Sequence, residues 1–352
     1  EHITKNNQRY DIQLKGSGKT PYSRNGDGKA VLGPMIREYI VSEAMHNLGI
    51  SSTRALAVIK TGENVLREKF EPGAILIRVA KSHIRVGTFQ FGSLLKKREE
   101  FDNLISYTID RLYPELTEKN NKFINFFERV CELQINLIIE WMRVGFIHGV
   151  MNTDNMSISG ETIDYGPCAY LDVYNPKTVF SSIDRLGRYS FENQPKISLW
   201  NLARFAETFL HLIDINESKA IKIIEEILNK YNEKFILNWH IMMSKKLNLE
   251  FNNENKNIIK EFLDLMHIHK LDYTNTFIDL ENNTLNNNIF KYWIAKYNTL
   301  KKKNFNNVNP TIIPRNHILE KIINDSYNGD YNLLYEFEKM LKNPYERNVT
   351  NK

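Results

Sequence analysis

The period of the apolar positions divides the chain into a front that mixes strand and helix patterns and a back that is helical. Arg9 to Leu14 (RYDIQL) alternates closely enough to predict a strand with Lys15 at its end. From about Gly33 to Leu48, the residues Met35, Ile36, Tyr39, Ile40, Ala44 and Leu48 recur at helical spacing, and Gly49 is a natural stop. Thr53–Ile59, Asn64–Phe70 and Ala74–Ala80 then read as strands, with Glu71-Pro72-Gly73 as the turn between the last two. Beyond Phe101 the helical period dominates, predicting helices near 102–113, 123–144, 199–213, 218–236, 254–267, 289–301 and 314–325. The fold class expected from this order is α+β.

Composition narrows the function classes. With 352 residues, 42% hydrophobic and 25% charged, the chain has the make-up of a globular protein that buries a large core. The net charge of +5 is mild and forms no basic stripe interleaved with aromatics, so no nucleic-acid partner is expected. Lys301-Lys302-Lys303 reads as a solvated helix end. Cys131 and Cys168 cannot make a disulfide framework, which suits a reducing compartment. No apolar run approaches the roughly 18 residues of a membrane span, so no membrane partner is expected. The first residue is Glu1 and not Met, which we read as the start of a fragment whose targeting information is missing.

The chemistry concentrates in His148-Gly149-Val150-Met151-Asn152-Thr153-Asp154-Asn155, followed by Ile163-Asp164-Tyr165-Gly166. A kinase catalytic loop places a base Asp two residues after its His and a metal-binding Asn seven after it, then a D-x-G Asp on the next strand. Here Asn155 and Asp164 stand at those offsets as hard oxygen ligands for Mg²⁺ or Mn²⁺, whereas Val150 occupies the base position. Asp154, beside Asn155, is the candidate replacement proton acceptor. Upstream, Lys15 and Glu38 fit a strand lysine held by a helix glutamate. Alone they would read as two solvated charges, and the metal motif favours the pairing. Arg78 and Arg85 are forks suited to polyphosphate oxygens, with surface salt bridges as the alternative. His83 lies between them and reads as structural. Gly16-Ser17-Gly18-Lys19-Thr20 fails the P-loop spacing, because its first glycine would fall at Gln13. The Gly26-Asp27-Gly28-Lys29 turn could offer backbone N–H groups to phosphate or be a plain tight turn.

Five segments carry a family resemblance: QLKGSGKTPYSRNGDGKAVL, IREYIVSEAMHNLGISSTRAL, GAILIRVAKSHIRVGTF, GFIHGVMNTDNMSISGETIDYGP and GRYSFENQPKISLWNLARFA. Together they resemble the selenoprotein O family of kinase-like protein adenylyltransferases. The likeness is dense from Asp11 to Ala206 and returns faintly at Asn309-Pro310, Arg315-Asn316 and Asn343-Pro344-Tyr345. It implies a protein-kinase-like two-lobed fold: a 1–95 N-lobe incomplete at its N-terminus, a 96–210 catalytic C-lobe core and a 211–352 helical extension. It implies ATP bound in a flipped orientation and AMP transferred to Ser, Thr or Tyr hydroxyls of protein substrates. It further implies Lys15, Asp27, Gly28, Glu38, Arg78, Arg85 and Asp164 as nucleotide-binding residues, Asn155 and Asp164 as metal ligands, and Asp154 as proton acceptor. Lys29 departs from the pattern, since Arg is expected there; an earlier Gly-rich segment of the family has no counterpart in this chain; and no Cys follows Cys168 to supply a C-terminal redox centre. A monomer is expected, cytoplasmic in a bacterium or mitochondrial in a eukaryote. ATP binding without catalysis, UMP transfer with Mn²⁺ and small-molecule phosphotransfer are the alternatives, Val150 arguing against the last.

Overall fold

The computed structural model describes residues 1–23, 25–95, 97–302 and 307–347. Lys303 of the tri-lysine run lies outside them. The front is an antiparallel sheet of β1 (His2–Ile3), β2 (Arg9–Lys15), β3 (Ala30–Val31), β4 (Arg54–Leu66) and β5 (Phe70–Ala80), with helix α1 (Leu32–Asn47) between β3 and β4. β5 is the axis of the sheet. Ile77 pairs with both Leu14 and Ala57, and Ala74 with both Ala30 and Lys60, so β2 and β3 line one edge of β5 and β4 runs along the other. The sheet packs on α1, whose Leu32, Met35, Ile36, Ile40, Val41 and Ala44 are buried with Leu76 and Ala74 of β5.

Two expectations change here. The strands foreseen at 53–59 and 64–70 are one long strand, β4, interrupted by irregular register between Lys60 and Asn64. The reversal lies at Arg67–Lys69, closed by Arg67 N–H on the Lys69 carbonyl at 3.0 Å. Glu71-Pro72-Gly73 is therefore inside β5 and is not a turn. Pro72 and Gly73 face the irregular part of β4, where a strand tolerates a missing N–H. A Cβ at Gly73 would meet Thr61 Oγ1 at 2.6 Å, which is why the smallest residue stands there.

The remainder is helical: α2 (Val86–Ser93), α3 (Arg98–Leu112), α4 (Lys122–Val144), α5 (Gln194–Glu207), α6 (Leu210–Ile213), α7 (Glu217–Lys246), α8 (Asn255–Ile268), α9 (Tyr273–Glu281), α10 (Asn287–Leu300), α11 (Asn316–Tyr327) and α12 (Asn332–Leu341). The helix foreseen at 199–213 starts earlier and breaks at Thr208-Phe209, while that at 218–236 runs on to Lys246. α2, α9 and α12 were not foreseen. Phe89, Phe126, Phe127, Phe205 and Phe209, from α2, α4, α5 and the α5–α6 break, interlock in edge-to-face and tilted pairs at 4.9–6.3 Å and centre the helical core. No helix among the described residues is long and apolar enough to cross a membrane.

Two features set the site. Gly145 ends α4 in the left-handed conformation (φ 75°), and the chain turns at once into a two-residue ribbon, β6 (Phe146–Ile147) paired with β7 (Ala169–Tyr170). The motif-bearing stretch 148–168 is the excursion that this ribbon closes. Separately, the C-terminal helices return to α1. Tyr327 of α11 accepts from Gly33 N–H at 3.2 Å and donates to Glu71 at 2.6 Å. Arg37 bonds Asn316 and Glu320, and Tyr345 donates to the Leu48 carbonyl at 2.8 Å.

Candidate active site

The last residue of β2, the middle of α1, the end of β5 and the 148–168 excursion converge on one buried ion network. Lys15 Nζ donates to Glu38 Oε2 at 2.6 Å and to Asp164 Oδ1 at 2.8 Å. Arg78 reaches Glu38 Oε1 through Nε at 2.9 Å and again through Nη2, and it also donates to Asp164 Oδ1 at 2.6 Å and to Gln13 at 3.0 Å. Arg85 Nη1 meets Asp164 Oδ2 at 2.9 Å and the Asp154 backbone carbonyl at 2.9 Å. Strand pairing explains the convergence: Gln13 lies opposite Arg78 and Lys15 opposite Leu76, so the cations on β2 and β5 come side by side above the buried face of α1. Three cations thus face two carboxylates.

The protonation balance follows from burial and neighbours. Burial opposes the Asp164 charge, but Arg78, Lys15 and Arg85 outweigh it and hold the carboxyl well below the usual range. Arg78, 1% exposed, is disfavoured by burial and pushed upward overall by Asp164 and Glu38. Arg85 is lowered by burial despite the pull of Asp164, with the like charge of Arg78 adding to the cost. Of the two arginines, Arg85 has the more to gain from an incoming anion.

The excursion is pinned by groups that do no chemistry themselves. His148 is fully buried; its Nε2–H donates to the Ile163 carbonyl at 2.8 Å, leaving Nδ1 to accept from Val150 N–H at 3.4 Å. Burial lowers its pKa, so the ring is a neutral clamp. Gln194 at the start of α5 receives His148 N–H at 3.1 Å, and Asn201 donates to the Met151 carbonyl at 2.9 Å. Thr153–Asn155 form one 3₁₀ turn against the N-terminus of α2. A Cβ on Gly87 would lie 2.2 Å from Asp154 Oδ1, so only glycine leaves room for that carboxylate. Asp164 itself is not in a strand; it adopts a left-handed φ of 62°, a conformation uncommon outside glycine and enriched at working sites.

The site residues foreseen in the sequence divide into two groups. Lys15, Glu38, Arg78, Arg85 and Asp164 form the network, and Asp154 touches it through its backbone carbonyl. Asn155 donates its Nδ2 to the Val150 carbonyl at 2.9 Å, which commits the amide nitrogen and identifies Oδ1 as the acceptor of that side chain. Asp27 and Gly28 engage elsewhere: the Asp27 carboxylate is forked by Arg67 at 3.0 Å on both oxygens, and Lys29 pairs with Glu63 at 2.6 Å. Sequence reasoning missed that the two glycine-rich stretches are one object. Gly18 N–H bonds the Gly28 carbonyl at 3.1 Å, and a Cβ on Gly28 (φ 67°) would sit 2.0 Å from Gly18 O. Arg67, Gln13 and Gly87 were also missed, having no motif of their own.

A family model described as protein adenylyltransferase SelO matches residues 2–342. The chain belongs to the SelO family. SelO relatives named protein nucleotidyltransferase YdiU include those of Pelagibacter ubique, 54% identical over 98% of this chain and 75% of that protein, and Clostridium perfringens, 49% identical over 98% and 74%. A third, from Halalkalibacterium halodurans, is 50% identical over 98% and 74%. Membership makes the chain one of a family of nucleotidyltransferases, for which ATP is the implied substrate.

No cluster of three or more His, Cys, Asp or Glu able to hold a metal exists among the described residues. The oxygen set of Asp164 and Asn155 still fits a hard divalent cation of the kind that binds through one or two protein oxygens and completes its shell with phosphate and water.

Proposed function

We propose that this SelO-family chain transfers AMP from ATP to Ser, Thr or Tyr hydroxyls of proteins, releasing pyrophosphate, on a kinase-like two-lobed frame divided near residues 95 and 210. The observation that carries it is the Lys15–Glu38–Arg78–Asp164–Arg85 network standing beside a loop with Val150 where a phosphotransfer base would be.

In this reading the nucleotide enters with its γ-phosphate deepest. Arg78 is almost wholly buried, and Lys15 and Arg85 are partly accessible, so the cationic depth of the site suits the terminal phosphates and leaves the α-phosphate outward. Asn155 and Asp164 would hold Mg²⁺ or Mn²⁺, which when bound neutralises polyphosphate charge. The acceptor hydroxyl oxygen attacks the α-phosphorus. The bond from that phosphorus to the α,β-bridging oxygen breaks, and its electron pair leaves with pyrophosphate. The hydroxyl proton passes to the Asp154 carboxylate. Lys15, Arg78 and Arg85 stabilise the charge that grows on the leaving group, and Glu38 holds two of those three in place. Asp27 and Gly28 would contact the nucleotide from the glycine-rich loop.

Label in the α-phosphate of ATP is expected in a protein acceptor, and label in the γ-phosphate is not. Transfer of γ-label sinks the proposal, and stronger labelling from UTP with Mn²⁺ changes the donor.

A further inference from the structure

Helix α5 has two working faces. Its inner face supplies Asn201, which fixes the Met151 carbonyl in the candidate catalytic loop, together with buried Ile197 and Phe205. Its outer face carries Lys196, Trp200 and Arg204 at intervals of four, one stripe along the helix. Trp200 is 40% exposed, and two guanidinium groups flank its ring: Arg188 at 4.7 Å and Arg204 at 5.7 Å from the centroid. Arg188 is presented by a loop that Asp184 shapes by accepting the backbone N–H groups of Arg188 and Tyr189 at 2.8 and 2.7 Å. That loop exposes Ile183 (80%) and Leu186 (96%). Arg204 is paired with Glu207, whereas among the described residues no carboxylate forms a salt bridge with the Arg188 or Arg185 guanidinium.

We infer that the Arg188–Trp200 surface is the docking site for the acceptor protein, and that it selects hydroxyls flanked by acidic residues. The occupant follows from charge and place. An exposed Trp beside two arginines and apolar side chains has the composition of a protein-binding hot spot, and the Arg188 guanidinium, in no salt bridge among the described residues, calls for carboxylate. Docking surface and candidate catalytic loop share one helix: α5 presents Trp200 outward, and its next residue, Asn201, holds the Met151 carbonyl of the loop that carries Asp154. Acidic side chains on Arg188 would then hold a nearby hydroxyl at the α-phosphate. The inference rests on the AMP-transfer reading for its purpose, but docking itself is measurable without transfer.

The probes are two fluorescein-labelled peptides with a central Tyr, one flanked by glutamates and the other by glutamines. By anisotropy at low salt, the glutamate peptide should bind the wild-type chain at least ~10-fold tighter, and Arg188→Glu should erase that preference. Trp200→Ala should weaken binding of the glutamate peptide, and Arg188→Lys, which keeps charge but not the planar stack, should fall between. In transfer assays with α-labelled ATP, Arg188→Glu should raise KM for the glutamate peptide ~10-fold, leaving kcat and KM for ATP unchanged. Equal binding of both peptides, an unaltered preference in Arg188→Glu, or tighter binding of a single-stranded oligonucleotide than of the glutamate peptide overturns the inference. Peptide binding as expected without α-label incorporation overturns the AMP-transfer reading and leaves the docking site standing.

Discussion

Single side chains carry most of the chemistry proposed here, and Asp154 is the one whose removal separates chemistry from binding. Asp154→Ala is expected to lower α-label incorporation by about 100-fold or more, while ATP affinity, measured calorimetrically, stays within about threefold. His83 makes a second residue-level test. Burial, and then the nearby Arg78 cation, push its pKa down from 6.5 to about 4, and its Nε2 has no hydrogen-bond partner. The unfolded chain therefore takes up this proton first as pH falls. The contribution is fully present above the ordinary histidine value and is lost between about pH 6.5 and pH 4. Wild-type stability should fall across that window by on the order of 3 kcal/mol more than His83→Gln, as read by urea unfolding at each pH. In the folded chain His83 takes up its proton only near pH 4, where it places a cation beside Arg78 and Arg85, so nucleotide affinity should change there and not near pH 6.5. At this scale the sequence was most informative. Lys15, Glu38, Arg78, Arg85 and Asp164 carry spacings that mark them, and the structure brings all five into one ion network. Gly87 and Gln13 were invisible, since what matters about them is the space left for Asp154 and the partner offered to Arg78, and neither leaves a pattern along the chain.

Elements set those side chains against each other. The N-terminus of α2 packs on the 3₁₀ turn of Thr153–Asn155 with only hydrogen at Gly87 between backbone and carboxylate. Gly87→Ala should displace Asp154, reducing kcat at least tenfold with little change in ATP affinity or in the helical circular dichroism. Much of the element plan was legible. The α1, α3, α4, α8, α10 and α11 helices follow the apolar period within a few residues. The failures have physical causes. Pro-Gly normally marks a turn, but Pro72 and Gly73 sit opposite an irregularity in β4 that only strand pairing produces. The strands β6 and β7 are two residues each and too short for any period to show. Likewise, the glycine-rich stretches 16–18 and 26–28 could not be joined on paper, because a left-handed Gly28 packed on Gly18 is a tertiary fact.

For the molecule as a whole, the back half is an anchor for the front. Tyr345 donates to the Leu48 carbonyl and accepts from Arg143 at 2.8 Å, and Arg315 grips Asp172 and Asp272. Fully buried Lys246 donates to the Arg143 carbonyl at 2.8 Å and to Asn309 at 2.7 Å. The short motifs that reappear late in the chain, at Asn309, Arg315 and Tyr345, are thus the residues that tie its end to its core. Tyr345→Phe should cost about 1–2 kcal/mol in chemical denaturation without altering KM for ATP.

The bond between Tyr327 and Gly33 spans 294 positions of sequence. Chain synthesis runs in one direction, so the helix that presents Glu38 is made well before the partners that seat it. On the ribosome, Arg37 and Gly33 emerge long before Asn316, Glu320 and Tyr327 exist to seat them. The contacts that seat α1 can then form only after α11 has been made, and a nascent chain without α11 lacks them.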